Sequence, residues 1–137
     1  MTDVVISIVS RVETDGESEQ MEFVTEGRMM HSNGVYRLYY NTDDGSGSES
    51  TVLRAERDSV VIHRSGETQS HLTVRQGERC VGHYDVGVAG MMVGISGREV
   101  QIDMTDSGGR IFLEYSIDIN SEHVSTNAVE VRVTSAT

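Results

Sequence analysis

Arg110-Ile111-Phe112-Leu113-Glu114-Tyr115-Ser116-Ile117-Asp118-Ile119 alternates between apolar and polar residues with one exception. Ile111, Leu113, Tyr115, Ile117 and Ile119 fall on one face of an extended chain. Arg110, Glu114, Ser116 and Asp118 fall on the other, and Phe112 is the one apolar residue out of phase. Side chains alternate across a strand with a period of two, so this stretch reads as a strand with one buried and one wet face. The same rule sets Val100, Ile102 and Met104 against Gln101 and Asp103, and Val129, Val131 and Val133 against Glu130 and Arg132. It also sets Tyr36, Leu38 and Tyr40 against Val35, Arg37 and Tyr39. No segment keeps a convincing helical spacing.

The breaks fit the same picture. Asp15-Gly16, Asn33-Gly34, Asp43 to Ser48, Gly66, Gly77, Gly87 to Gly90, Gly97 and Ser107-Gly108-Gly109 recur at the roughly 8–12-residue spacing of an antiparallel all-β chain. Strands are predicted over residues 3–13, 20–31, 34–41, 50–57, 59–65, 69–75, 79–87, 90–96, 98–105, 109–120 and 123–134. The acidic, glycine-rich run Asp43-Asp44-Gly45-Ser46-Gly47-Ser48-Glu49 reads as a loop between strands. One apolar face per strand leaves a sandwich or a closed barrel. We expect the barrel: a single domain over residues 1–137, up-and-down and lipocalin-like, of about 8–10 strands. Closure removes the sheet edges that a chain without proline or lysine is poorly equipped to protect.

Composition narrows function. The formal net charge is −11, with 22 acidic residues against 11 basic, and every one of the basic residues is arginine. Without lysine there is no Schiff base, no phosphate-loop lysine and no lysine general base. The acidic excess argues against nucleic acid, which needs a basic footprint, and against anionic membranes. Cys80 stands alone and cannot form an internal disulfide. The N-terminal residues lack a basic region before a long apolar run, no stretch approaches a membrane helix, and mean hydropathy is −0.32. These features lead us to expect a cytoplasmic protein.

Register can be phased at the hairpin around Gly66-Glu67-Thr68. If Ile62 meets Leu72 and Val60 meets Val74, then Arg64 meets Ser70 on the apolar face and His63 meets His71 on the other. The next hairpin, around Gln76-Gly77-Glu78, pairs Val74 with Cys80, Ser70 with Tyr84 and His71 with His83. Two rows result: Arg64, Ser70 and Tyr84 facing inward, and His63, His71 and His83 facing outward. The juxtaposition of Arg75 and Arg79 at that turn counts against the second register.

At these residues the chain resembles the YwiB-like family of small bacterial proteins. Tyr36-Arg37-Leu38-Tyr39-Tyr40 carries the resemblance, with Arg64-Ser65-Gly66, Ser70, Val74, Gly77, Tyr84, Gly90, Tyr115, Asn127, Val129, Val131 and Val133. Val86 and the Ser96-Gly97 pair depart from the pattern, where threonines would stand. The resemblance implies a calycin-like barrel of unknown function and brings no catalytic or ligand residues with it.

Arg64 is the most informative position, because its phase with Val60 and Ile62 aims a permanent charge at the barrel interior. A buried guanidinium must be paired or hydrogen-bonded. The plainer reading is a structural arginine satisfied by the protein; the sharper one is an anchor for a ligand carboxylate or phosphate. Tyr36, Tyr40, Tyr84 and Tyr115 share the inward phase and suit either the wall of a cavity for an amphipathic ligand or simple core filling. The histidine row has the composition of a zinc set, but side chains on a convex face splay apart, so no metal site and no cofactor are expected. Cys80, phased inward and away from His83, reads as an inert thiol. No nucleophile elbow or acid–base pair is present, so we expect no enzyme. The expected function is binding of a small apolar or amphipathic, anionic-headed ligand through Arg64, Ser70, Tyr84, Tyr36, Tyr40 and Tyr115. The alternative is a packed barrel acting through its outer face or as a homodimer.

Overall fold

A computed structural model describes residues 1–43, 48–66, 68–86 and 89–136. The strands, in chain order, are β1 (Thr2–Thr14), β2 (Glu17–Ser32), β3 (Val35–Asp43), β4 (Ser48–Glu56), β5 (Ser59–Ser65), β6 (Thr68–Arg75), β7 (Arg79–Val86), β8 (Ala89–Thr105), β9 (Gly108–Ile119) and β10 (Glu122–Ser135). Each pairs with the next, and β1 pairs with β10, so the all-β meander closes into a barrel of antiparallel strands. Among the described residues there is no helix long and apolar enough to cross a membrane. Asp44 to Gly47 of the acidic loop, Glu67, and Gly87-Val88 lie outside the described residues.

Turn chemistry follows the sequence. Asp15-Gly16 and Asn33-Gly34 both take positive φ at each position, the geometry of tight type I′ hairpins that aspartate, asparagine and glycine adopt most readily. Odd-numbered strands run toward the end that carries Asp15-Gly16 and Gly66. Even-numbered strands run toward the end that carries Asn33-Gly34 and the chain termini. The first of these ends is called the upper mouth below.

One expected division does not exist. Residues 90–96 and 98–105 belong to the single strand β8, and the break read at Gly97 is a bulge, where the register with β9 shifts between Gly97 and Glu99. The cause lies in the β6–β7 turn. The Gly97 amide donates to the Glu78 carbonyl, and the Gly77 amide donates to the Gly97 carbonyl. A Cβ on Gly97 would stand 2.1 Å from the Arg75 carbonyl oxygen, so only glycine lets the turn seat there. The strand bends and continues.

The barrel's middle is filled. Ile6, Leu38, Leu53, Ala55, Val60, Val74, Ile95, Ile111, Leu113 and Val131 are all buried and form one cluster. Charge sits outside, where Arg110 and Arg132 pair with Glu130, Arg98 with Glu114, and Arg54 with Glu56. Phe112, the residue out of phase, lies on that outer face with the Arg110 guanidinium 5.4 Å from its ring centroid. A cation over the ring gives the half-buried aromatic a partner.

Candidate binding site

The first phased hairpin has the register read from sequence: Val60↔Val74, Ile62↔Leu72, His63↔His71 and Arg64↔Ser70. The second gives Ser70↔Tyr84 and His71↔His83. The further pairing of Val74 with Cys80 is not made: the β6–β7 ladder runs from Thr68↔Val86 to His71↔His83, and below it the turn is drawn onto Gly97 of β8. Arg75 and Arg79 do not conflict, because Arg75 pairs with Glu78 and Arg79 turns to Asp118.

These registers assemble an inward row near the upper mouth. Gly27, Tyr40, Thr51, Arg64, Ser70, Tyr84 and Met91 stand opposite one another across successive strands from β2 to β8. Directly opposed residues in an antiparallel pair lie about 4.5–5.5 Å apart at Cα, so the row is a contiguous wall. Tyr40 and Ser70 are buried, Tyr84 is half-buried, and Thr51 is 1% exposed. Arg64 corrects the expectation of a buried guanidinium. It occupies the penultimate position of β5, where the strand ends, and its side chain emerges to solvent. Among the described residues it makes no hydrogen bond and no ion pair.

Tyr115 joins this group from the far wall. It is opposed by Asn127 and Gly97, and Asn127 donates from Nδ2 to the Ser125 hydroxyl at 3.0 Å, both side chains being buried. Burial pushes the phenols of Tyr40 and Tyr115 above the ordinary value of 10.0, and the Arg64 charge pulls both in the opposite direction. Arg64 therefore acts electrostatically on both walls of the mouth, and both hydroxyls are neutral at physiological pH.

Tyr36 is not part of the group. It lies at the other end of β3, where its hydroxyl donates to the Met104 carbonyl at 3.1 Å and its ring stacks on His31 at 4.0 Å. His31 Nδ1 is 2.6 Å from Asp106 Oδ1. These contacts tie β2 and β3 to the β8–β9 turn across the lower end of the barrel.

Thr51 is the residue that sequence reading missed. Its Oγ1 is a buried polar atom with no hydrogen-bond partner among the described residues, and it stands between Tyr40 and Arg64. Extending the hairpin phasing by one strand, with Leu53 opposite Ile62, would have placed it. An open cleft of about 480 Å³ reaches Tyr40 and Thr51 from the side, between β2 and β4 where β2 and β3 part. Partly exposed apolar side chains flank the mouth from inward positions: Phe23, with its ring centroid 6.2 Å from that of Tyr40, and Met91, opposite Tyr84.

His63, His71 and His83 form the predicted outward row and are exposed, with the first two rings 5.8 Å apart edge to face. Among the described residues no group of three or more His, Cys, Asp and Glu side chains is placed to hold a metal ion. Cys80 is opposite Ile95 on the inner face and is only partly buried.

The chain is thus a closed antiparallel meander barrel with a filled middle and polar groups gathered at one mouth. The chain belongs to the family described as a domain of unknown function, DUF1934, whose model matches residues 6–131. Its sequence is 26% identical over 122 residues to the uncharacterized beta-barrel protein YwiB of Bacillus subtilis (strain 168), covering 88% of this chain and 85% of that one. The crystal structure of the ywiB protein from Bacillus subtilis superposes with a TM-score of 0.90 at 20% identity, covering 99% of this chain and 93% of that one.

Proposed function

We propose that the protein is a non-catalytic cytoplasmic carrier or sensor that takes a small amphipathic molecule with an anionic head at its upper mouth. The observation that carries this reading is the Thr51 hydroxyl next to Arg64, neither of which has a hydrogen-bonding or ion-pair partner among the described residues. A buried hydroxyl without a partner costs about 1–3 kcal/mol, and a ligand oxygen arriving at that point would remove the cost. Arg64 offers a planar fork matched to carboxylate or phosphate, and the neutral hydroxyls of Tyr40 and Tyr115 add donors. Phe23 and Met91 supply apolar surface for the tail, and methionine adapts to varied shapes. The mouth of a β-barrel is a recurring place for small-molecule sites.

Native mass spectrometry of the protein purified from its own host tests the proposal. The expected result is a peak displaced by the mass of one small acid, lost in an Arg64→Gln variant. Protein free of any adduct, with the same result after incubation in host lipid and metabolite extract, would overturn it.

A further inference from the structure

We propose that the open edge of β2, residues 17–26, captures an extended basic peptide by strand addition. β2 pairs with β1 from Thr2↔Met29 to Thr14↔Glu17, but with β3 only from Ser32↔Val35 to Gly27↔Tyr40. Beyond Tyr40, β3 leaves with β4: Asn41, Thr42 and Asp43 are opposed by Ser50, Glu49 and Ser48. Among the described residues, the main-chain groups of residues 17–26 that point away from β1 therefore face no strand. Gly27 marks the parting. A Cβ there would lie 2.6 Å from the Tyr39 carbonyl oxygen and 2.7 Å from Ile6 Cδ1.

An unpaired edge of this length, roughly 30 Å, is a template for another strand. Its side chains state what that strand must carry. Met21, 66% exposed, and Phe23 take the inner face; Glu22, Val24 and Glu26 take the outer face. Glu17, Glu19, Glu22 and Glu26 are the charges of the segment, and no basic residue interrupts them. A second copy of the chain would bring the same negative edge, on a molecule of net charge −11, and is repelled. An extended segment with apolar side chains toward Met21 and Phe23 and arginine or lysine toward Glu22 and Glu26 satisfies the main chain and both faces at once.

A fluorescent heptapeptide alternating arginine and valine is the probe. The controls are a peptide of equal charge with its central valines replaced by proline, and an alternating glutamate–valine peptide. Anisotropy reports affinity, and hydrogen exchange reports which amides become protected. We expect the arginine–valine peptide to bind with new protection within residues 17–26, and the proline control to lose that protection. Glu22→Arg with Glu26→Arg, both at exposed positions, should weaken the basic peptide by about tenfold and transfer binding to the acidic one. Equal binding of the proline control would reduce the effect to net charge and overturn the proposal. So would protection elsewhere on the barrel, indifference to the charge reversal, or concentration-dependent dimers that protect this same edge without peptide.

Discussion

Thr51 presents an unusual balance for a single side chain. Its neighbours across the sheet are a buried tyrosine and a charged arginine, yet its hydroxyl donates to neither. If that oxygen is kept for a ligand, the free protein should gain from its removal. Thr51→Val keeps the shape and drops the orphan atom, so urea unfolding should show a stability increase of about 0.5–1.5 kcal/mol. A decrease would mean that the hydroxyl is already satisfied. Asp118 illustrates the opposite case, a charge fully used. Arg79 grips it with Nε at 3.0 Å and Nη2 at 2.7 Å, crossing β8 over Gly94, where a Cβ would stand 2.2 Å from that Nη2. The hydrogen bond from Arg79 holds the carboxyl below its ordinary 3.8, and Arg110 likewise holds Glu130 below 4.5. A depressed folded value means that the stabilisation is present above the unfolded value and is lost as pH falls through the folded one. Thermal unfolding should therefore be insensitive to these two groups from pH 7 to 5, and their small, solvent-screened contribution should be lost below about pH 4. Asp118→Asn should shrink the acid-side drop, and an unchanged acid profile in that variant would count against the assignment.

At the scale of elements, the β6–β7 turn and the β8 bulge hold each other through Gly97. Its amide and carbonyl both engage the turn, and the Arg75 carbonyl occupies the space of a side chain. Gly97→Ala has to push backbone against backbone, so it should lower stability by roughly 1–3 kcal/mol, read from equilibrium unfolding. The same substitution at Gly16, where nothing lies within 4 Å of the position, brings only the strain of a positive φ and serves as the comparison. This pair of glycines also marks the limit of what was legible beforehand. Alternation in Arg110 to Ile119 and the Asp-Gly and Asn-Gly turns were enough for an all-β meander, because period and turn chemistry are local properties. In the sequence Gly97 reads as a break between strands. Bulge and break have the same local signal, and only the carbonyl arriving from β6, distant in sequence, distinguishes them. The open edge of β2 escaped for the same reason: which strand leaves which neighbour is decided by coiling of the whole sheet.

At the scale of the molecule, closure of β1 onto β10 leaves two different ends. The lower one is tied across by Tyr36 to Met104 and His31 to Asp106; the upper one gathers Arg64, Tyr40, Thr51, Ser70 and Tyr84. Inward phase was readable for every one of the candidate tyrosines, but height along the barrel axis was not. Tyr36 therefore shares the phase of the other tyrosines and stands apart from them in space. Arg64 shares the register row of Thr51 and Ser70. Its emergence at the rim depends on how soon β5 ends. If this rim recognises an anionic head, a calorimetric titration with dodecanoate and with dodecanol separates the acid from the alcohol. We predict one dodecanoate per chain, with dodecanol roughly tenfold or more weaker, and with that preference erased by Arg64→Gln. Equal binding of acid and alcohol, or a dodecanoate affinity untouched by Arg64→Gln, would contradict it.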